Sequence, residues 1–465
     1  MTVTRKKPGK YTPTRTDRYA ARNGNKTIFY KNMEISELYK IFEKHPVVTT
    51  DSRDCPEGSI FFALKGASFN GNAFAMKAIG QGCAYAVVDE PEFAPEGDSR
   101  FILCQDCLHT LQLLANYHRR RLGTKIIGIT GTNGKTTTKE LLAAVLEKKY
   151  NVLYTQGNFN NDIGVPKTLL RLKPEHEIAV VEMGASHPGD IKTLVDIVEP
   201  DCGIITNVGR AHLQGFGSFE GVIKTKGELY DYLRDNGGFV FIHNENKYLQ
   251  GIAGGLSLVR YGTTAGDPSL LVCGEVVECA PYLKFRWQTC QGQWHEVQTH
   301  LIGSYNVYNM LAAACIGIHF GVGENLVSEA LRDYVPTNNR SQLEVTASNK
   351  LIVDTYNANP TSMRAALENF RDMAVKPKMA ILGDMGELGD VSDEEHQKVV
   401  DFLIDNHIGN VWLVGECFAK TRCDFSKFHD VDEVKKEILA HKPQGQYILI
   451  KGSNSMKLFQ LPELL

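Results

Sequence analysis

The sequence predicts an α/β protein built from three α/β domains in series. Three observations carry that prediction. Short apolar runs bounded by Gly, Asp and Pro alternate with helical patterns along most of the chain, as buried parallel strands and their connecting helices do. The stretch "KIIGITGTNGKTTTKE", residues 125–140, runs from a strand through a glycine-rich loop into a helix. The length of 465 residues suits about three domains of roughly 150 residues. Composition is that of an ordinary globular chain, 43% apolar and 23% charged with a formal net charge of -3. That balance gives no general attraction to nucleic acid or to an anionic membrane. No apolar run nears the ~18 residues of a membrane span, and no secretory segment opens the chain. A cytoplasmic protein with no membrane span and no nucleic-acid partner is expected. Eleven cysteines are scattered. Only Cys104 and Cys107 form a CxxC, with no second pair at zinc spacing, so the cysteines read as thiols in a reducing compartment.

Taken in order, residues 1–32 are rich in Lys, Arg, Thr and Gly with little apolar periodicity, and read as a basic, disordered extension. Residues 33–122 hold the strand candidates "PVVTTDSR", "SIFFALKG", "AYAVVDE" and "RFILCQD", closed by the helical "LHTLQLLANYHRRRL". Residues 123–335 begin with "TKIIGIT" and continue through "EIAVVEMG", "IKTLVDIVE", "CGIITNVG", "VIKTKGELYDYL" and "GFVFIHNEN". This alternation means βαβ units and a mostly parallel sheet. Residues 269–302 break the rhythm with strand-like pieces and turns, read as a small antiparallel appendage, before "NVYNMLAAACIGIHF" returns to helix. "YVPTNNR" has the character of a linker. Residues 336–465, with "KLIVDTYN", "KMAILGDM", "NVWLVGE" and "QYILIKG", form a third, Rossmann-like unit.

The loop is the strongest chemical signal. Consecutive backbone N–H groups and a helix N-terminus favour an anion. Lys135 is placed for the β/γ phosphates of ATP, and the Thr136 hydroxyl for Mg²⁺. The strict GxxxxGK[ST] pattern fails by one position, because Ile129 stands where it asks for glycine, while Gly128 and Gly131 flank it. The bland alternative is a glycine-rich turn that binds nothing. The order of strand, glycines, Lys-Thr and helix weighs against it, and ATP binding through Gly131, Thr132, Asn133, Gly134, Lys135, Thr136 and Thr137 is the expectation. Glu182 ends the strand "EIAVV" beside the loop, where an α/β sheet presents a metal ligand; a solvated strand-end glutamate is the other reading.

"GITGTNGKTTT" resembles the ATP loop of the Mur ligases and folylpolyglutamate synthases. The similarity extends over residues 33–465 through "DSR…GSIFFALKGASFNGNAFA", "GNFNNDIGVP", "EMGASHPGDI", "YNANPTSM", "GDMGELG" and "KGSNSM". What this implies is ATP-driven amide formation through an acyl phosphate, with UDP-N-acetylmuramoyl-tripeptide and D-alanyl-D-alanine as substrates and the enzyme a monomer. The resemblance also implies two Mg²⁺ ions, one at Thr136 and Glu182, a second at His212 and at a carbamylated lysine. Lys226 fits that lysine, and Lys224 competes. The catalytic set implied is Lys135, His212, Lys226 and Arg340. Asn306 and Asn309 are implied for adenine, Arg340 for the γ-phosphate and Asp354 for ribose. For the two acyl substrates the candidates are Ser52, Arg53, Asn158, Asn160, Asn161, Asn357, Asn359 and Asp384. Read alone, His212 is as well a structural loop histidine, Lys226 a solvated helix lysine, Asn306 a helix cap, and the asparagines ordinary turn residues. Three other functions stay open: another Mur or folylpolyglutamate-type ligase, a P-loop kinase, and a nucleotide-binding module without chemistry. The ligase that adds the third residue usually carries a "DNPR" stretch, which does not occur here.

Overall fold

The computed structural model describes residues 33–465 except 291 and 337–341, and before residue 33 only the backbone of 19–23 and 26–30. It divides into two compact units, Met1–His118 and Arg119–Leu465. In the extension expected to be disordered, Tyr19–Asn23 and Lys26–Tyr30 pair as antiparallel strands, and β-prone Thr, Ile, Phe and Tyr populate the second; the rest of that expectation lies outside the described residues.

The first unit holds a four-stranded parallel sheet of Val48–Thr49, Ile60–Phe62, Tyr85–Val88 and Phe101–Leu103. These strands are short and almost wholly apolar because both faces are covered. Ile60, Phe61, Phe62, Ala86, Val87 and Val88 are all buried.

The second unit holds two larger sheets. In the nine-stranded one, Lys125–Thr130 lies between Ile178–Glu182 and Cys202–Ile205, all parallel. Val152–Tyr154 extends the sheet on the Ile178 side, and Phe239–His243 and Ser257–Gly262 on the other. The chain therefore winds both ways from Lys125–Thr130, and the crevice at such a switch point is where α/β sheets bind ligands. The antiparallel strands Leu270–Cys279, Tyr282–Thr289 and His295–Ile302 are not a separate lobe. They continue the same sheet and lead directly into helix Asn306–His319. That helix packs with helix Lys135–Leu146 over one apolar core containing Ile127, Ile129, Leu142, Met310, Leu311 and Ile316.

The six-stranded sheet runs from Gln342–Val345, antiparallel, to the parallel strands Lys350–Asp354, Tyr447–Lys451, Lys378–Gly383, Val411–Val414 and Ser426–Phe428. Apolar cores lie on its two faces, as a doubly wound sheet requires. The α/β class, the parallel central sheet with its antiparallel part and the Rossmann-like last sheet agree with the sequence reading.

Candidate functional site

The phosphate loop sits at the carboxyl end of the central strand. Gly131 has φ of 142°, and a Cβ there would meet Thr206 Oγ1 at 2.1 Å. Gly134 caps helix Lys135–Leu146 with φ of 77°, and a Cβ there would lie 2.6 Å from Asn309 Oδ1. Glycine is required at both positions for conformation and for space. The neighbouring strand end holds the loop's path. Thr132 N–H donates to Asn207 O and Asn133 N–H to Asn207 Oδ1, at 2.9 and 3.0 Å. Thr206 Oγ1 and Asn207 Nδ2 donate back to Asn133 O at 2.7 and 2.9 Å. Lys135 Nζ lies over the loop, 2.9 Å from Gly131 O and 3.0 Å from Thr132 O.

Parallel register sets Glu182 level with Ile129, one residue short of the loop strand's end. Its carboxylate is buried. Oε1 accepts from the Thr136 hydroxyl at 3.2 Å and from Asn160 Nδ2 at 2.8 Å, while Oε2 has no hydrogen-bond partner among the described residues. A buried anionic oxygen with no partner is costly, and a hard divalent cation satisfies it. Thr136 and Glu182 thus fit the expected Mg²⁺. Asn160 reaches this carboxylate, whereas Asn158 and Asn161 are exposed, and Asn161 Oδ1 accepts from Gly164 N–H at the start of the next helix.

His212 and Lys226 share a neighbour. His212 stands edge-on to the Phe216 ring with centroids 6.2 Å apart, and Lys226 Nζ lies 5.2 Å over the same ring. Lys226 is buried and Lys224 exposed, as positions two apart on a helix must face different ways. Of the two, Lys226 is the one that turns inward beside the Phe216 ring. Its Nζ donates to Ala185 O at 3.3 Å. Burial, reinforced by the charge of Lys135, pushes Lys226 well below an ordinary lysine, against the opposing pull of Asp190 and Glu228. Burial also lowers His212; Glu387 opposes this, and Lys135 and Lys226 add to it. Three basic groups therefore lie within electrostatic reach of one another at the loop. His212 has φ of 50°, and its Nδ1 lies against the Glu387 carboxylate, an ion pair only when the ring is protonated.

The amides expected at adenine turn inward. Asn309 Oδ1 accepts from the Thr138 hydroxyl at 3.1 Å, Asn309 Nδ2 donates to Asn306 Oδ1 at 2.8 Å, and Asn306 Nδ2 donates to Ile302 O at 2.7 Å. Together they brace the loop helix from behind. Of the last sheet's candidates, Asp354 accepts from the buried Lys451 Nζ at 2.6 Å. Asp384 accepts Cys417 N–H on Oδ2 and Phe418 N–H on Oδ1 at 2.9 Å each, so its carboxylate anchors the start of helix Glu416–Ala419. Asn357 is exposed, with Oδ1 accepting Ala358 N–H, and Asn359 is buried against Asn133. Arg340 lies outside the described residues. In the first unit, exposed Arg53 forks onto Asp51 at 2.7–3.2 Å, and Ser52 sits half-buried in the same turn. Sequence reasoning missed Thr206, Asn207, Glu387 and Lys451. The "TN" directly after "CGII" was the available signal for the first two; nothing local marks the others.

Two family models match this chain: the Mur ligase middle domain over residues 129–317 and the Mur ligase glutamate ligase domain over residues 339–454. The UDP-N-acetylmuramoyl-tripeptide–D-alanyl-D-alanine ligase of Bacillus subtilis is 35% identical over 89% of this chain and 92% of its own length. Among solved structures, MurF from Acinetobacter baumannii superposes with a TM-score of 0.80 at 31% identity, covering 89% of this chain and 92% of that one. MurF from Thermotoga maritima in complex with ADP gives 0.79 at 25% identity, covering 90% and 96%.

Proposed function

The chain belongs to the Mur ligase family, and from that premise we propose that it catalyses ATP-dependent addition of D-alanyl-D-alanine to UDP-N-acetylmuramoyl-tripeptide, the reaction for which its 35% identical relative is named. It is a ligase of peptidoglycan precursor synthesis. The observation that carries the chemistry is the phosphate loop with Lys135 lying over it and Thr136 on the half-satisfied Glu182 carboxylate.

The terminal carboxylate of the tripeptide bonds through oxygen to the γ-phosphorus of ATP, and ADP leaves. The amine of D-alanyl-D-alanine then attacks the acyl carbon, loses its proton, and phosphate departs. Both steps gather negative charge, so fixed cations and donors supply most of the stabilisation. Lys135 swings from its own loop carbonyls onto the β/γ phosphates. Thr136 and Glu182 would hold Mg²⁺, which would supply neutralisation of phosphate charge. His212 and Lys226 are the candidates for a second ion. Lys226 would serve as a ligand if its amine added to CO₂ and shed a proton to give a carbamate; a buried lysine of depressed basicity supplies the neutral amine that this needs. Arg340, by the family pattern, reaches the γ-phosphate, and Asp354 the ribose. Residues 33–122, with Ser52 and Arg53, take the UDP end; Asn158, Asn160, Asn161, Asn357, Asn359 and Asp384 are the candidates for the peptides. We assign a cytoplasmic monomer. No described helix is long and apolar enough to cross a membrane.

The test is phosphate release from ATP with each acyl partner alone and with both. The expected result is release, and an amide product, only with UDP-N-acetylmuramoyl-tripeptide and D-alanyl-D-alanine together. A phosphate ester as product would mean a kinase, and ATP binding without turnover would mean a nucleotide sensor. Glutamate or a single amino acid replacing the dipeptide at full rate would move the chain to another ligase of the family.

A further inference from the structure

The phosphate loop and the first helix of the last sheet hold each other through one pair of amides. Asn359 Nδ2 donates to Asn133 Oδ1 at 2.8 Å, and Asn133 Nδ2 lies 3.4 Å from Asn359 Oδ1. Both residues are fixed from behind. Asn359 Oδ1 accepts Ser362 N–H at 2.9 Å and caps helix Pro360–Asp372, while the Ser362 hydroxyl accepts Asn359 N–H at 3.1 Å. The backbone of Asn133 is pinned by Thr206 and Asn207. A second contact runs alongside: Thr361 Oγ1 accepts Arg210 N–H at 3.0 Å, and a Cβ on Gly209 would lie 2.8 Å from that oxygen. The same strip, residues 206–210, therefore grips the loop on one side and the capped helix on the other.

We propose that Asn133 and Asn359 form a positioning latch, through which the phosphate-bound form of the loop and the docking of the last domain favour each other. This rests on the ligase reading above and adds to it the route by which ATP binding prepares the site for the amine. An uncharged, directional amide pair nets little against water, so the latch opens and closes within a catalytic cycle. Linkage is reciprocal: whatever docking contributes to ATP affinity, ATP contributes to docking.

The test is a double-mutant cycle on the full chain with Asn133→Ala, Asn359→Ser and the two combined. Serine keeps a capping oxygen for the helix but cannot span to Asn133. Asn359→Asp, which keeps cap and acceptor but lacks the donor, is the second variant should the serine protein melt early. At saturating ATP and dipeptide, kcat is expected to fall about 5- to 30-fold in each single variant, with the double no lower than the worse single, and ATP Kd by calorimetry should weaken with the same non-additivity. Losses that multiply in the double overturn the latch. So does a rise in KM for ATP with kcat unchanged, which would reduce Asn359 to a brace for the loop. If the wild type shows no two-substrate requirement, the ligase reading fails on its own, and ATP Kd across the same four proteins still decides for or against coupling.

Discussion

Lys226 combines two properties that rarely occur together on one side chain: deep burial and no carboxylate at hydrogen-bond distance among the described residues. Its depressed basicity has a defined sign for stability. Between that depressed value and the ordinary lysine value, the unfolded chain binds a proton that the folded chain does not, so stability from this residue rises with pH across that window and levels off on either side of it, lowest on the acid side. Lys226→Met removes the burden and should raise the melting temperature at pH 7, by roughly 2–4 °C per kcal/mol relieved, with the gain shrinking toward pH 10. The same substitution, like Lys226→Ala, should abolish turnover, and added bicarbonate should not restore it. ¹³C-bicarbonate should give a carbamate NMR signal in the wild type that both variants lack. Undiminished turnover of either variant would remove Lys226 from the site. At this scale the sequence is a partial guide. The lysine and histidine were nameable from the family pattern, and the helix face adds that Lys226 turns inward while Lys224 is exposed. Glu387 and Lys451 have partners far along the chain, and no local pattern signals such pairing.

The loop with its helix is the element that reads most plainly from sequence, because glycine, lysine and threonine do their work within a few residues of each other. What sequence does not show is the brace: Asn309 meets Gly134 only after the sheet has brought two helices together. Gly134→Ala therefore meets both a left-handed backbone, costing about 1–2 kcal/mol, and an amide that is itself hydrogen-bonded and slow to yield. ATP Kd should weaken at least tenfold by calorimetry. Gly157→Ala, with φ of 53° but open space around it, should leave ATP affinity unchanged. Strands such as Ser257–Gly262 and Gln342–Val345 escaped the sequence reading, being short, mixed in polarity and lacking a long apolar run. The antiparallel strands were legible as strands but not as a continuation of the parallel sheet, since register across an edge is a long-range property.

For the whole molecule, the two compact units predict two calorimetric transitions. Nucleotide at 100 times its Kd stabilises only what it binds, by about 2.7 kcal/mol, so Mg-ADP should raise one transition and leave the other in place. A single transition moving as one would refute that division. UDP-linked substrate should act on the transition that ADP leaves alone.

The nucleotide cradle has one more consequence, which concerns its manufacture. Thr138 waits for an oxygen 171 residues downstream, and Asn133 for an amide N–H 226 residues downstream. At about 5–20 residues per second, a ribosome needs roughly 10–30 s to deliver the first of these partners and longer for the second. During synthesis, then, this enzyme spends its infancy with a loop that has the right letters and no grip, and ATP in the cell cannot help it fold until most of the polypeptide has emerged.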